Sequence, residues 1–363
     1  MLENLKYLTN NGYKAYVICE PTDTLKNVDD ITFYPIDMKR GNVSVWEVLR
    51  SVWQMIKIFR KEKFDIIQYA SSNAGLYAAI AGWITRVPVR IYCQWGISYT
   101  DYTGIKYWFY KAIEKVTCCL STNVQPDSYG NLEFSVMEKL YKRSKGNVVF
   151  NGSACGVSLE RFNISKREEW RNEIHQQFSI PVDKKVFGFV GRLALEKGVN
   201  ELLEAFLELD SPDAVLLVVG PYYGVDELNQ EIYNKSLDSE NIIFVGPVSD
   251  PSKFYAAFDF LILPSYREGF GMVVLESAAM GTPIIVSNII GPTEFVKDNH
   301  NGLYCDVKST SSLRLTMLKA LSLSVSEYLR LCENAYADVS TKFNSNDFKE
   351  AFLRDRNSFL IKK

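Results

Sequence analysis

Two short segments in the second half of the chain gather the residue types that handle phosphates and sugar hydroxyls. The first, Phe189–Gly198, reads FVGRLALEKG and carries Arg192 and Lys197. A strand-like apolar run precedes it, and a helical pattern over Asn200–Leu209 follows. Gly191 permits a tight turn at the carboxyl end of the strand, where open α/β sheets bind their ligands. Two cations close to a helix N-terminus suit a diphosphate, each charge-assisted contact contributing roughly 1.5–3 kcal/mol. Taken alone, the segment reads equally well as a solvated loop with two surface cations.

The second segment, Pro264–Ser277, reads PSYREGFGMVVLES and also follows a buried-strand pattern, Phe260–Leu263. Glu268 falls in the loop, and Glu276 a turn or so into a helix that ends at Gly281. Gly269 and Gly271 let the backbone approach a ligand closely, with amides free to face phosphate oxygens at the helix start. A carboxylate is a poor phosphate ligand and a good acceptor for hydroxyls, so Glu268 suits a sugar and Glu276 a ribose. Buried without such partners, the two acids would be costly. The alternative is that both are surface acids stabilising the helix N-terminus.

The elements that must position these residues follow from periodicity. Strands are expected at Lys14–Cys19, Asp65–Tyr69, Val89–Cys93, Asn123–Gln125 and Asn147–Phe150, then at Lys185–Val190, Ala214–Val219, Asn241–Val245, Phe260–Leu263, Pro283–Val286 and Gly302–Cys305. Helical patterns lie between them. In Val45–Phe59 the apolar residues Val45, Val48, Leu49, Val52, Trp53 and Ile56 share one face, expected to be buried. Such alternation predicts an α/β protein with parallel sheets covered on both faces. At 363 residues the chain has room for two domains. The charged segment Ser165–Lys185 reads as their connection, giving domains over 1–165 and 185–340. A C-terminal helix within 344–363, with Phe348, Phe352 and Phe359 near one face, is expected to pack back on the first domain. The start is unusual: Leu2, Leu5 and Leu8 before Gly12 predict a helix, and the first strand comes only afterwards. A doubly wound domain normally opens with a strand and a glycine-bearing turn, so the first strand is expected to be missing.

Composition narrows the class. The chain is 47% hydrophobic and 23% charged, with a formal net charge of −2, which argues against a nucleic-acid partner. No run approaches the roughly 20 apolar residues of a spanning helix, and no secretory signal pattern opens the chain, so a cytoplasmic location is expected. The seven cysteines include no C-x-x-C pair, and neither His175 nor His300 stands at ligand spacing from one. Buried free thiols and no zinc site are expected, with both histidines facing solvent.

Together the two segments resemble the retaining GT-B glycosyltransferases of family 4, which build bacterial capsule, O-antigen and exopolysaccharide chains. Gly191–Gly198 matches the family's G-R-x-x-x-x-K-G element, and Glu268 with Glu276 matches its paired-acid motif. Asn151–Phe162 looks like its interdomain element with an insertion. The resemblance covers essentially the whole chain and is most marked over 186–305. It implies two Rossmann-like domains facing a cleft and donor contacts from Gly191, Arg192, Lys197, Gly269, Phe270, Gly271, Met272 and Glu276. On the same resemblance Arg192, Lys197 and Glu268 are expected to carry the catalytic roles. It further implies retention of configuration, no metal or other cofactor, a nucleotide-sugar donor, UDP-linked in the first instance, and a saccharide or lipid-linked oligosaccharide acceptor.

The chain departs from the family in two places. It begins beyond the glycine loop that follows the family's first strand, and Cys93–Ser98 stands where many members carry a histidine. There Gln94 or Trp95 occupies the acceptor side, the Trp packing either on a sugar or in the core. Asp127 and Ser128 follow a strand end and suit either acceptor contact or a turn. Lys39–Lys63, with Trp46 and Trp53, and Gly104–Leu120, with Lys106, Lys111, Lys115 and four aromatics, suit either a peripheral contact with the inner face of the cytoplasmic membrane or helices packed on a sheet. The competing functions are an inactive, truncated sugar-nucleotide-binding remnant, and an epimerase or phosphorylase on the same architecture.

Overall fold

In the computed structural model, residues 2–21, 28, 30–38 and 44–361 are described. The chain divides into two units, Met1–Cys155 with Asn346–Lys363, and Gly156–Ser345.

In the first unit the order is α1 (Leu2–Asn10), β1 (Ala15–Cys19), β2 (Ile31–Pro35), α2 (Val45–Glu62), β3 (Ile66–Ala70), α3 (Ser72–Ile84), β4 (Val89–Gln94), α4 (Gly104–Leu120), β5 (Asn123–Pro126) and α5 (Tyr129–Met137). Every pairing is parallel, and the strands form separate sheets β1–β2 and β3–β4–β5. Strand β2 escaped the sequence reading because ITFYP is too short to show a clear period. The strand expected at Asn147–Phe150 does not form. Asn147 still donates its amide to the Val124 carbonyl at 3.1 Å, but its side chain is drawn to Asp355 at 3.0 Å and Phe150 turns the chain at φ 55°.

Helix α2 opens with a capping box between Ser44 and Glu47, which satisfies two otherwise orphaned groups. Its buried face is Ser51, Val52, Met55 and Phe59, with Val48 and Ile56 packed at its edge, which corrects the expected one in part. Val45, Leu49 and Trp53 are exposed. The helix is apolar on two sides, and the core it shares with α3 covers only one.

The second unit continues with α6 (Arg167–Gln177), β6 (Lys185–Val190), α7 (Val199–Leu207), β7 (Ala214–Val219), α8 (Gln230–Leu237), β8 (Ile242–Gly246), α9 (Ser252–Ala257), β9 (Phe260–Leu263), α10 (Met272–Ala279), β10 (Ile284–Ser287), α11 (Pro292–Phe295), β11 (Gly302–Cys305), α12 (Thr310–Ser322) and α13 (Val325–Lys342). Six parallel strands lie in the order β11-β10-β9-β6-β7-β8, with an apolar core on each face. All residues of β7, β9 and β10 are buried, as uninterrupted apolar runs require in a doubly covered sheet.

The expected connection at Ser165–Lys185 is corrected here, because α6 belongs to this unit. Trp170 and Ile174, one helical turn apart, are buried against α9, and of the charges that suggested a linker Glu168, Glu169 and Glu173 face outward while Arg167 and Arg171 turn inward to the Met280 and Ala257 carbonyls. His175 is therefore buried rather than solvent-facing, and burial pushes its imidazole below the usual value. The crossings between units fall at 155/156 and 345/346.

The final helix, α14 (Ser345–Leu360), lies almost wholly in the first unit. Phe348 and Phe352 pack with Leu8, and the buried Arg356 donates to Gln68 Oε1 at 2.6 Å while pairing with Asp355. Gln125 Nε2 donates to Asp355 at 2.9 Å, which ties β5 to the same helix.

Candidate functional site

After β6 the chain stays in sheet register for one more residue, Gly191 donating its amide to the Val219 carbonyl at 2.9 Å. Leu193 is fully buried and anchors the loop. A single turn, Leu195–Lys197, then leads to Gly198 at φ 70°, where α7 begins. A Cβ at Gly198 would lie 2.1 Å from the Pro264 carbonyl oxygen, so only glycine lets the two loops touch. They are also hydrogen-bonded, Tyr266 giving its amide to the Glu196 carbonyl at 2.9 Å.

This contact brings Lys197 Nζ to 2.6 Å from Glu268 Oε1, and the Ser265 hydroxyl donates to the same oxygen at 2.8 Å. Both side chains of the pair are largely covered, with 22% and 12% of their surface exposed. Gly271, at φ 81°, starts α10 directly behind Glu268. Phe270 is buried against Phe343, ring centroids 5.4 Å apart, so it offers a ligand only its backbone. Gly291 seats the next loop on this one, since a Cβ there would lie 2.5 Å from the Gly269 carbonyl oxygen. The result is a loop held from two sides, with an ammonium and a carboxylate at the start of a helix.

The other expected residues are placed differently. Arg192 reaches back to Glu196 at 2.8 Å and remains 54% exposed, a cation at the rim rather than a member of the Lys197–Glu268 pair. Glu276 accepts a hydrogen bond of 2.6 Å from the hydroxyl of Tyr255, a fully buried residue of α9. Burial pushes the Glu276 carboxyl above its ordinary range, while the Tyr255 hydrogen bond and the charge of Arg161 hold it down. Arg161 itself pairs with Asp250 at 3.0 Å. Sequence reasoning missed Tyr255, Ser265, Arg161 and Gly291. Ser265 and Arg161 lie inside segments already singled out, whereas Tyr255 sits in an apolar stretch that reads only as core.

On the acceptor side Gln94 is corrected. It is fully buried, its Nε2 donating to Glu114 at 2.6 Å and its Oε1 accepting from Ser135 at 2.9 Å and Tyr141 at 3.3 Å. The amide is committed to the core and cannot face an acceptor. Asp127 is buried too, its carbonyl accepting from the Ser153 amide at 2.6 Å, and Ser128 caps α5 by accepting from the Asn131 amide. Trp95 alone is partly open, lining a small cavity with Gln68, Cys93, Gln125 and Arg356. Among the described residues no group of three His, Cys, Asp or Glu side chains gathers at metal-binding range, and no helix is long and apolar enough to cross a membrane. All seven cysteines are free, with Cys93, Cys118 and Cys305 buried.

Comparison with known proteins places the chain among glycosyltransferases. Residues 171–338 match the family Glycosyl transferases group 1, and residues 1–128 match Glycosyl transferase 4-like. The chain is 27% identical to the capsular polysaccharide biosynthesis glycosyltransferase CapM of Staphylococcus aureus, over 99% of this chain and 94% of that one. It is 25% identical to the UDP-Gal:alpha-D-GlcNAc-diphosphoundecaprenol alpha-1,3-galactosyltransferase of Escherichia coli, covering 89% of this chain and 85% of that one. Among solved structures, Anabaena HepE, crystallised with UDP and glucose, superposes with a TM-score of 0.81 at 18% identity, covering 98% and 95% of the two chains. That last likeness concerns the fold alone.

Proposed function

We propose that this chain, a glycosyltransferase of the GT-B fold, moves a sugar from a UDP-sugar to a lipid-linked or growing cell-envelope saccharide. Transfer proceeds with retention of configuration and without a metal. The observation that carries this reading is the Lys197–Glu268 pair, held between two interlocked loops at the start of α10. Its support on the donor side is the UDP-Gal in the Escherichia coli relative's name. On the acceptor side it is the diphosphoundecaprenol of the former and the capsular polysaccharide of CapM.

The roles follow from charge. As the bond from the sugar C1 to the diphosphate oxygen breaks, negative charge develops on the leaving group. Lys197, Arg192 and the amides from Gly269 to Met272 stabilise it more in the transition state than in the ground state. Glu268 accepts from donor-sugar hydroxyls and Glu276 from the ribose. The acceptor hydroxyl attacks C1 from the face the diphosphate leaves, and its proton passes to the departing phosphate oxygen. Gly191, still in sheet register, contributes its backbone where the first loop leaves β6. A lipid-linked acceptor places the protein on the inner face of the cytoplasmic membrane.

The test is a donor screen that reads released nucleotide from UDP-, GDP- and ADP-sugars in the presence of a chelator. Selective, chelator-resistant turnover of a UDP-sugar is expected. Turnover of GDP-mannose alone would reassign the donor, and loss of activity on chelation would remove the metal-free mechanism.

A further inference from the structure

The structure carries a feature that the donor site does not use. Helices α2, α3 and α4 pack side by side, α3 touching both neighbours. On α2 the outward stripe is Trp46, Leu49, Arg50, Trp53, Lys57 and Arg60, in steps of mostly three or four residues. On α4 it is Ile105, Trp108, Phe109 and Val116, flanked by Lys106 and Lys115. Trp83 and Ile84 are exposed at the end of α3 between them. These are not marginal exposures: Trp46 is 81%, Ile105 89% and Trp108 66% accessible.

We propose that the outer face of the α2–α3–α4 layer docks on an anionic lipid bilayer, inserting its aromatic side chains at headgroup depth while its lysines and arginines engage lipid phosphates. The inference rests on the lipid-linked acceptor proposed above for its purpose, but not for its test.

Charge selects this occupant. The acids of the layer are engaged elsewhere, Glu47 in the Ser44 cap, Glu62 with Tyr34 and Lys61, and Glu114 inside the core with Tyr92 and Gln94. Arg50 lies 3.7 Å from the exposed Asp37, while Lys57, Arg60, Lys106 and Lys115 point outward without an acidic neighbour on their own helices' outer stripes. Lys57 Nζ sits 3.3 Å from the Trp53 ring centroid, a cation–π contact that sets a positive charge directly beside the aromatic stripe. Protein-binding patches instead deplete lysine at their centre, which disfavours a second copy of this chain as the occupant. With no helix able to cross a membrane among the described residues, the contact is interfacial. Lys39 and Arg40, counted with this face in the sequence, lie outside the described residues.

The experiment is flotation of the full chain, without donor, on phosphatidylcholine vesicles with and without phosphatidylglycerol, at low and raised salt. Binding is expected only with phosphatidylglycerol, weakened by salt, with a blue shift of Trp emission. Replacing Trp46, Trp53 and Trp108 with Ser should cut binding about tenfold or more. Lys106→Glu with Lys115→Glu should do the same. Both variants should keep the wild-type melting temperature, since the altered side chains are exposed. Absence of binding, or equal binding to neutral vesicles, overturns the proposal. So does a dimer that the Trp variant dissociates, which would make this face a contact between copies. Flotation without glycosyl transfer would sink the enzymatic reading alone, and transfer without flotation the membrane face alone.

Discussion

Lys197 and Glu268 stand 71 positions apart in sequence, yet their charged groups meet at 2.6 Å. A pair so placed holds the ammonium in position before any donor arrives and cancels its charge until a diphosphate competes for it. Lys197→Ala should therefore leave the fold intact and lower kcat by roughly 10²–10³, as loss of one preorganised transition-state donor does. Glu268→Gln should cost a comparable factor by removing the sugar contact and loosening Lys197. Steady-state release of nucleotide, with circular dichroism as the control, checks both. Near-normal turnover in the Ala variant removes Lys197 from the mechanism.

The same geometry depends on a residue with no functional group. Gly198→Ala would place a methyl against the Pro264 carbonyl in a backbone region that disfavours side chains. The cost is about 2 kcal/mol or more, and relief comes only by parting the two loops. A lowered melting temperature together with at least a tenfold fall in kcat is expected. A variant that melts early but turns over normally would mean that the loop contact serves stability alone.

Tyr255 is expected to act on the donor through Glu276. Removing its hydroxyl in Tyr255→Phe takes away the hydrogen bond that holds the buried carboxyl down, so the carboxyl titrates still higher. The ionised form is the better acceptor for ribose hydroxyls. In the wild type the donor KM should fall as pH rises through the Glu276 pKa, and in the variant that limb should move to higher pH. At neutral pH a KM increase of roughly 5–10-fold with kcat nearly unchanged is expected, in line with about 1–1.5 kcal/mol for one hydrogen bond. A fall in kcat with no shift of the pH limb would assign Tyr255 a purely structural part.

How far these relationships were legible varies with the kind of signal. The strands of the second unit declared themselves, because a sheet covered on both faces demands unbroken apolar runs such as Ala214–Val219. Lys197 and Glu268 were legible as types at a spacing, but their contact depends on the Gly198–Pro264 approach, which no periodicity encodes. Gln94 misled because an amide at a strand end looks the same whether it faces a ligand or a buried carboxylate. Helix α2 misled for the opposite reason. Its apolar pattern was strong, but a pattern gives the angle between faces and not which of them the core covers.

Glu114 offers the sharpest check of the core that Gln94 belongs to. It is buried beneath α4, accepting from Tyr92 at 3.0 Å and from Gln94 at 2.6 Å, and burial raises its carboxyl above the ordinary range despite both bonds. A carboxyl whose folded pKa exceeds its unfolded value favours the native state when protonated. That contribution is present below the unfolded pKa and is lost as pH rises through the folded one. Glu114→Gln keeps the shape and cannot ionise, and the Tyr92 hydroxyl can rotate to accept from the new amide. The variant should therefore gain on the wild type as pH rises from the unfolded carboxyl's titration range through the higher folded one. Urea denaturation of both proteins across that range measures the difference directly. A gap that stays constant with pH would mean that Glu114 titrates alike in the folded and unfolded chains, and a gap that widens towards acid would mean that its two hydrogen bonds outweigh its burial.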